Sequence, residues 1–186
     1  THNNKNFKFK SIKTATQGIY SAINIGLDQI KDDSYYLVLG EGDLLKKRKQ
    51  TINIKKSNIV FIDYELSKGV IKKKFREMQI GMPYCHNAII FKKNNLRYCT
   101  NYKIAADYEY LIKYLKEEKL KLKQIQKNYF YDCLLTVFES EKGISSNSKF
   151  KKSIENFIIT IRNKGILGAI KFLLNYFKKF IEILLQ

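Results

Sequence analysis

Acidic residues are scarce in this chain: Asp and Glu number 17 against 35 Lys and Arg, a formal net charge of +18 at pH 7. A surface so short of carboxylate favours polyanions, whether nucleic acid, anionic lipid or phosphorylated small molecules. An AT-rich genome also inflates Lys, Asn and Ile, so charge alone does not choose among them. Cysteine is sparse as well. Cys85, Cys99 and Cys133 are odd in number, lack CxxC spacing and sit among apolar or aromatic neighbours, which reads as reduced, packed thiols in a cytosolic compartment. The opening Thr1-His2-Asn3-Asn4-Lys5 leads into an alternating Phe7-Lys8-Phe9-Lys10 segment rather than an apolar leader, so no secretory signal is read there. No uninterrupted apolar run is long enough to span a membrane, because Lys171, Lys178, Lys179 and Glu182 break the C-terminal one. Internal repeats are missing; so are zinc-finger spacing and an RNA-recognition strand motif, and the tyrosines fall mostly inside apolar patterns, which argues against a nucleic-acid-binding module. Tyr and Phe interleaved with Lys keep that module as an alternative, since such residues can stack bases.

The chain has 186 residues, 45% of them hydrophobic and 13% aromatic, enough for one domain with a packed core. Periodicity predicts a strand at Phe7–Ile12, an amphipathic helix over Gly18–Ile30 and a strand at Tyr35–Leu39. A short basic helix and loop are expected over Leu44–Lys56. Further strands are expected at Asn58–Tyr64, Val70–Phe75, Asn87–Phe91, Leu120–Ile125 and Tyr129–Phe138. Tyr108, Leu111, Ile112 and Leu115 mark one face of a helix over Ala105–Lys116, and Glu139–Ser148 reads as a polar loop.

The most informative stretch is Tyr35-Tyr36-Leu37-Val38-Leu39-Gly40-Glu41-Gly42-Asp43, an apolar run ending in two acids one residue apart. Ligand sites in open α/β sheets gather at the carboxyl ends of such strands. Hard divalent cations bind through one or two carboxylates together with substrate phosphates, which Glu41 and Asp43 can supply. Acids are also common in the turns that follow strands, so the pair by itself fits either reading.

Four blocks follow one another along the chain: Gly18-Ile19-Tyr20-Ser21-Ala22-Ile23-Asn24-Ile25-Gly26, Leu39-Gly40-Glu41-Gly42-Asp43, Met82-Pro83-Tyr84-Cys85-His86-Asn87 and Ile104-Ala105-Ala106-Asp107-Tyr108-Glu109. With Gly143-Ile144-Ser145, this order resembles bacterial family 2 glycosyltransferases, which assemble surface polysaccharides. The resemblance runs from roughly Ile12 to Ser148. It implies an α/β fold of the glycosyltransferase A type, a mixed and mainly parallel sheet flanked by helices, followed by C-terminal amphipathic helices. It implies transfer of a hexose, with inversion, from a nucleotide-diphosphate donor to a hydroxyl of a polysaccharide or lipid-linked acceptor. By the same resemblance Glu41 and Asp43 take the role of ligands for Mg²⁺ or Mn²⁺, Asp107 that of the base, and His86 and Ser145 contact substrate. Tyr20 and Asn24 are further substrate-binding candidates that serve equally as packing residues. Thr16 and Ser21 stand where the family commonly has acids, and Glu41 carries a charge that usually lies one residue later, at Gly42. The family's opening nucleotide-binding strand, turn and helix are not seen before Gly18, so the expectation is an N-terminally incomplete domain over 1–148.

Residues 149–186 form a separate basic helical segment in this reading. Leu167, Ile170, Leu174, Phe177, Ile181 and Leu184 line a broad apolar face, with Gly165 punctuating the pattern before it. Lysines at the edge of such a face fit an interfacial helix, here one lying on an anionic membrane surface through 164–185. The same pattern serves a helix packed on its own domain or on a partner subunit, as in a catalytically inactive docking module. The expected location is the cytoplasm, at the inner face of the cell membrane.

Overall fold

Ile59-Val60-Phe61-Ile62 has no accessible surface at all and forms the heart of the sheet. An apolar run buried on both faces is what a central strand requires. In the computed structural model, which describes residues 10–13, 15, 18–47, 57–66, 71–72, 81–120, 130–138 and 148–184, this strand is β3 (Ile59–Leu66). Before it come α1 (Ile19–Asp28), β1 (Tyr35–Tyr36) and β2 (Leu44–Lys47). After it come β4 (Ile71–Lys72), a short 3₁₀ turn (His86–Ala88), β5 (Ile89–Lys92), α2 (Ala106–Glu117), β6 (Phe130–Phe138) and α3 (Lys149–Leu184).

The strand order is β1-β5-β3-β6-β2, with β4 joined to β3 at Tyr64 and Glu65. The sheet is mixed, as expected, but not mainly parallel. β3 and β6 run parallel, whereas β1–β5, β5–β3, β3–β4 and β2–β6 are antiparallel. The reason is connectivity. A parallel neighbour needs a long crossover, usually a helix, and among the described residues α2 is the one α-helix that lies between strands in the chain. The β3–β6 register also jumps between Ile62 and Asp63, from Tyr131 to Leu135 on the partner strand.

Other expectations are met or redrawn at their edges. The first helix, α2 and the strands β3, β5 and β6 lie where periodicity placed them. The expected strand over Tyr35–Leu39 keeps ladder pairing only at Tyr35 and Tyr36. Leu44–Lys47 is a strand rather than a basic helix, paired along β6 from Val137 to Leu134. Its lysines and exposed leucines hid the pattern of a sheet edge, where charge is normal. Residues 10–12 carry no regular structure. Most of the Phe7–Ile12 and Leu120–Ile125 expectations, and the 139–147 part of the expected loop, fall outside the described residues.

The core is rich in tyrosine. Tyr98, Tyr108, Tyr110 and Tyr114 are at most 2% exposed. A buried hydroxyl without a partner costs about 1–3 kcal/mol, so each one finds a bond. Tyr98 meets His86 Nε2 (2.8 Å), Tyr108 meets Thr160 Oγ1 (3.3 Å), Tyr36 donates to Tyr110 (2.5 Å), and Tyr114 donates to the Asn58 carbonyl (2.6 Å). The Tyr98 and Tyr110 rings stack at 4.1 Å, and Phe91 of β5 meets Tyr110 and Tyr114 edge-on. These contacts fix α2 against the sheet.

The other side of α2 is covered by α3. Ile159 and Thr160 are fully buried, and Lys116 Nζ donates to the Asn163 carbonyl (3.0 Å). Gly165, with φ 65 and ψ −166, breaks α3 into limbs over 149–164 and 166–184. Phe157 and Phe172 touch across the break (5.4 Å between centroids). Much of the second limb stays exposed: Ile166, Leu167, Leu174 and Phe177 are each at least 64% accessible. Among the described residues no helix is long and apolar enough to cross a membrane.

Candidate functional site

The acidic turn is built by its own side chain. After β1 the chain closes a tight turn in which Asp43 N donates to the Gly40 carbonyl (3.2 Å) and Gly40 N donates to Asp43 Oδ2 (2.6 Å). Gly42 has φ 84, a left-handed backbone that glycine adopts without strain. A Cβ on Gly40 would sit 3.1 Å from Asp43 Oδ2, so glycine also makes room for the carboxylate. Asn87 Nδ2 donates to the same oxygen, tying the turn to the 3₁₀ segment before β5. Glu41 is exposed at the tip.

The residue beside Asn87 is His86, whose ring lies edge-on to Tyr98 (5.6 Å) and shares a hydrogen bond with its hydroxyl. Burial pushes its pKa below the ordinary histidine value, and the charge of Asp107 offsets part of that shift. The imidazole is therefore neutral at neutral pH and serves as a polar positioning group rather than a cation. Burial pushes the neighbouring Cys85 thiol up to about 12, with Asp43 and Asp107 adding to the rise. Cys85 is thus a protonated, inert thiol.

Asp107 lies in the first turn of α2, and its Oδ1 accepts a bond from Tyr108 N (2.8 Å). From Ile104 to Ile112 every residue is buried except Asp107. Half-buried, its carboxylate keeps some access to solvent at the N-terminal end of α2. Its charge is felt by Tyr20, Cys85, His86 and Tyr98.

The entry to α2 has no cap of its own, since Ala105 occupies the N-cap position. Glu155, on the first limb of α3, supplies one. Its Oε2 accepts from Ile104 N and Ala105 N (both 2.9 Å), and its Oε1 accepts from Lys103 N (3.0 Å). The carboxylate thus satisfies three backbone donors that would otherwise lie unpaired beside a helix start. The sequence carried a faint signal for it, because Glu155 is the one acid between Lys149 and Lys164. Asn87 was likewise visible in its block, but only the fold joins it to Asp43.

The remaining candidates separate. Tyr20 donates to the Ile104 carbonyl (2.6 Å), and Asn24 makes a two-bond clamp with the backbone of Tyr98 (2.8 Å each). Those polar groups hold the 98–104 segment, which is the packing role. Ser145 lies outside the described residues. Among the described residues no group of three or more His, Cys, Asp or Glu is arranged to hold a metal ion. Compared with protein families, curated proteins and solved structures, the chain matches none of them.

Proposed function

We propose that this chain is a glycosyltransferase domain of the glycosyltransferase A type, moving a sugar from a nucleotide-diphosphate donor to a hydroxyl of a polysaccharide or lipid-linked acceptor. The observation that supports it is a chain of contacts from the Asp43 turn to the start of α2: Asn87 bonds Asp43, the adjacent His86 bonds Tyr98, Tyr98 stacks on Tyr20 (5.9 Å), and Tyr20 bonds the Ile104 carbonyl, three residues before the half-buried Asp107. A hydroxyl is a poor nucleophile, and Asp107 takes its proton as the bond to the sugar forms. Base catalysis of this kind contributes about 10²–10⁴-fold. His86, neutral and hydrogen-bonded to Tyr98, orients polar groups of the substrate beside it. Glu155 holds the backbone that carries Asp107.

Glu41 and Asp43 offer hard oxygen donors of the kind Mg²⁺ and Mn²⁺ prefer, and the two N–H bonds to Asp43 Oδ2 fix that carboxylate as outer partners fix a metal ligand. When bound there, the cation would neutralise charge on the departing diphosphate. The reading also takes the protein to work at the cytoplasmic face of a membrane, supported by the basic, apolar second limb of α3.

The test is transfer from a panel of uridine- and guanosine-diphosphate sugars to a membrane extract, with Mn²⁺ present. Asp107→Asn should lower turnover by about 10²-fold or more while circular dichroism stays unchanged. Wild-type turnover in that variant would overturn the assignment. A second reading, an inactive module that docks through α3, is favoured by the exposed apolar surface of the second limb. It predicts no transfer by the wild-type chain.

A further inference from the structure

We infer that a line of buried hydroxyls, Tyr98, Tyr36 and Tyr110, holds the proton of His86 on Nε2 and leaves Nδ1 as a hydrogen-bond acceptor for a substrate hydroxyl. This rests on the site role proposed above for His86 and deepens it, but the protonated nitrogen can be read without any substrate. Tyr36, Tyr98 and Tyr110 are 7%, 2% and 1% exposed, so water does not compete for their hydroxyls. The Tyr98 ring is fixed as well. It stacks on Tyr110 at 4.1 Å, and Asn24 bonds both the N–H and the carbonyl of its backbone.

The polarity of the line is set at its far end. Asn94 Nδ2 donates to Glu117 Oε2 (3.2 Å), and Asn94 Oδ1 accepts from Leu96 N (3.1 Å). An ionised carboxylate only accepts and a backbone N–H only donates, so the amide has one orientation. Its oxygen then faces Tyr110, which donates to it (3.4 Å). A hydroxyl has a single proton, so Tyr110 accepts from Tyr36, and that bond is short at 2.5 Å. Tyr98 also bonds Tyr36, whose proton is already committed, and therefore donates to it. Tyr98 then has no proton left for His86. The 2.8 Å contact between them is a bond that Nε2–H gives and the Tyr98 oxygen receives.

A neutral imidazole carries one proton, so Nδ1 keeps its lone pair. Among the described residues the ring makes no second hydrogen bond, and it is half-buried rather than sealed. A phosphate oxygen without a proton would meet that lone pair with one of its own, whereas a sugar hydroxyl can donate to it. The hydroxyl line thus selects the kind of group that lies against His86. Tyr36 and Tyr110 act only through Tyr98 and are positioning residues.

The experiment places isotope-labelled histidine in the full chain and reads the imidazole nitrogens by NMR, at a pH above the ordinary histidine value. The chain has 2 histidines, and a His2→Gln variant assigns the signals. His86 should show a protonated Nε2 and a bare Nδ1. Tyr36→Phe and Tyr110→Phe each let the Tyr98 proton turn toward His86, and should move the tautomer ratio about tenfold toward protonated Nδ1. Tyr114→Phe deletes a buried hydroxyl outside the line, bonded to the Asn58 and Lys92 carbonyls, and should leave the ratio alone. A wild-type ring protonated on Nδ1 overturns the inference. So does an unmoved ratio in a line variant that circular dichroism shows folded, or an equal change in Tyr114→Phe. Added inorganic phosphate should leave Nδ1 bare, and protonation of Nδ1 on its addition would overturn the hydroxyl assignment. Absent sugar transfer with Nε2 protonated sinks the glycosyltransferase reading alone, whereas the opposite tautomer in an active chain sinks this inference alone.

Discussion

Glu155 shows what one carboxylate can do when it reaches across the fold. Glu155→Ala strips a partner from three backbone N–H groups at the entry to α2. A loss of about 2–3 kcal/mol in urea unfolding is expected, with Glu155→Gln losing less because one acceptor remains. An alanine variant as stable as wild type would show that water replaces the cap without penalty. His86 makes a second prediction, with a sign. An unfolded histidine titrates near 6.5, and burial holds the folded one lower. The unfolded chain therefore binds the extra proton first. The stability tied to His86 is complete above about pH 6.5 and is lost as pH falls toward the folded value. His86→Gln should flatten that part of the urea-midpoint profile between about pH 7.5 and 5.5, whereas parallel profiles would refute it. Asp43, His86 and Asp107 stood out by block and spacing. What Asn87 and Glu155 do was hidden, because hydrogen bonds spanning 44 and about 50 residues leave no periodic trace.

Among the elements, the buried ones were legible and the edges were not. β3 and α2 announce themselves through contiguous or helical-face burial, which composition must encode if a core is to form. β2 did not, because its ladder to β6 is made by backbone and its leucines remain exposed. The direction of the strands was also beyond reach, since antiparallel and parallel neighbours can share one apolar run. The break in α3 was marked by Gly165 in the sequence and is real in the fold. Gly165→Ala places a side chain in the left-handed region and should cost about 1–2 kcal/mol, or straighten the helix to avoid it. Spin labels at positions 157 and 172 distinguish the two outcomes, and an unchanged separation with unchanged stability would contradict both.

The chain carries an excess of 18 positive charges, and its described residues include a core of packed tyrosines and an exposed apolar limb. On the proposed membrane reading, charge of that size would draw the chain to an anionic surface, with an attraction that falls off over roughly 8–10 Å at physiological salt. Retention on phosphatidylglycerol vesicles should therefore drop steeply between about 0.1 and 0.5 M NaCl, and a salt-independent fraction would measure the apolar contribution of the second limb. The helical tail begins where composition changes, near residue 148, and its first limb packs into the rest of the chain. Asn156 closes on Gly81, where an added Cβ would stand 2.6 Å from its Nδ2, and Glu155 seats the start of α2. Cutting at 148 would thus unhinge the very backbone that presents Asp107. A protease site engineered after position 164 would instead shed the oily arm and spare the keystone, so the proposed lipid adhesion and the proposed sugar transfer can be dissected one from the other.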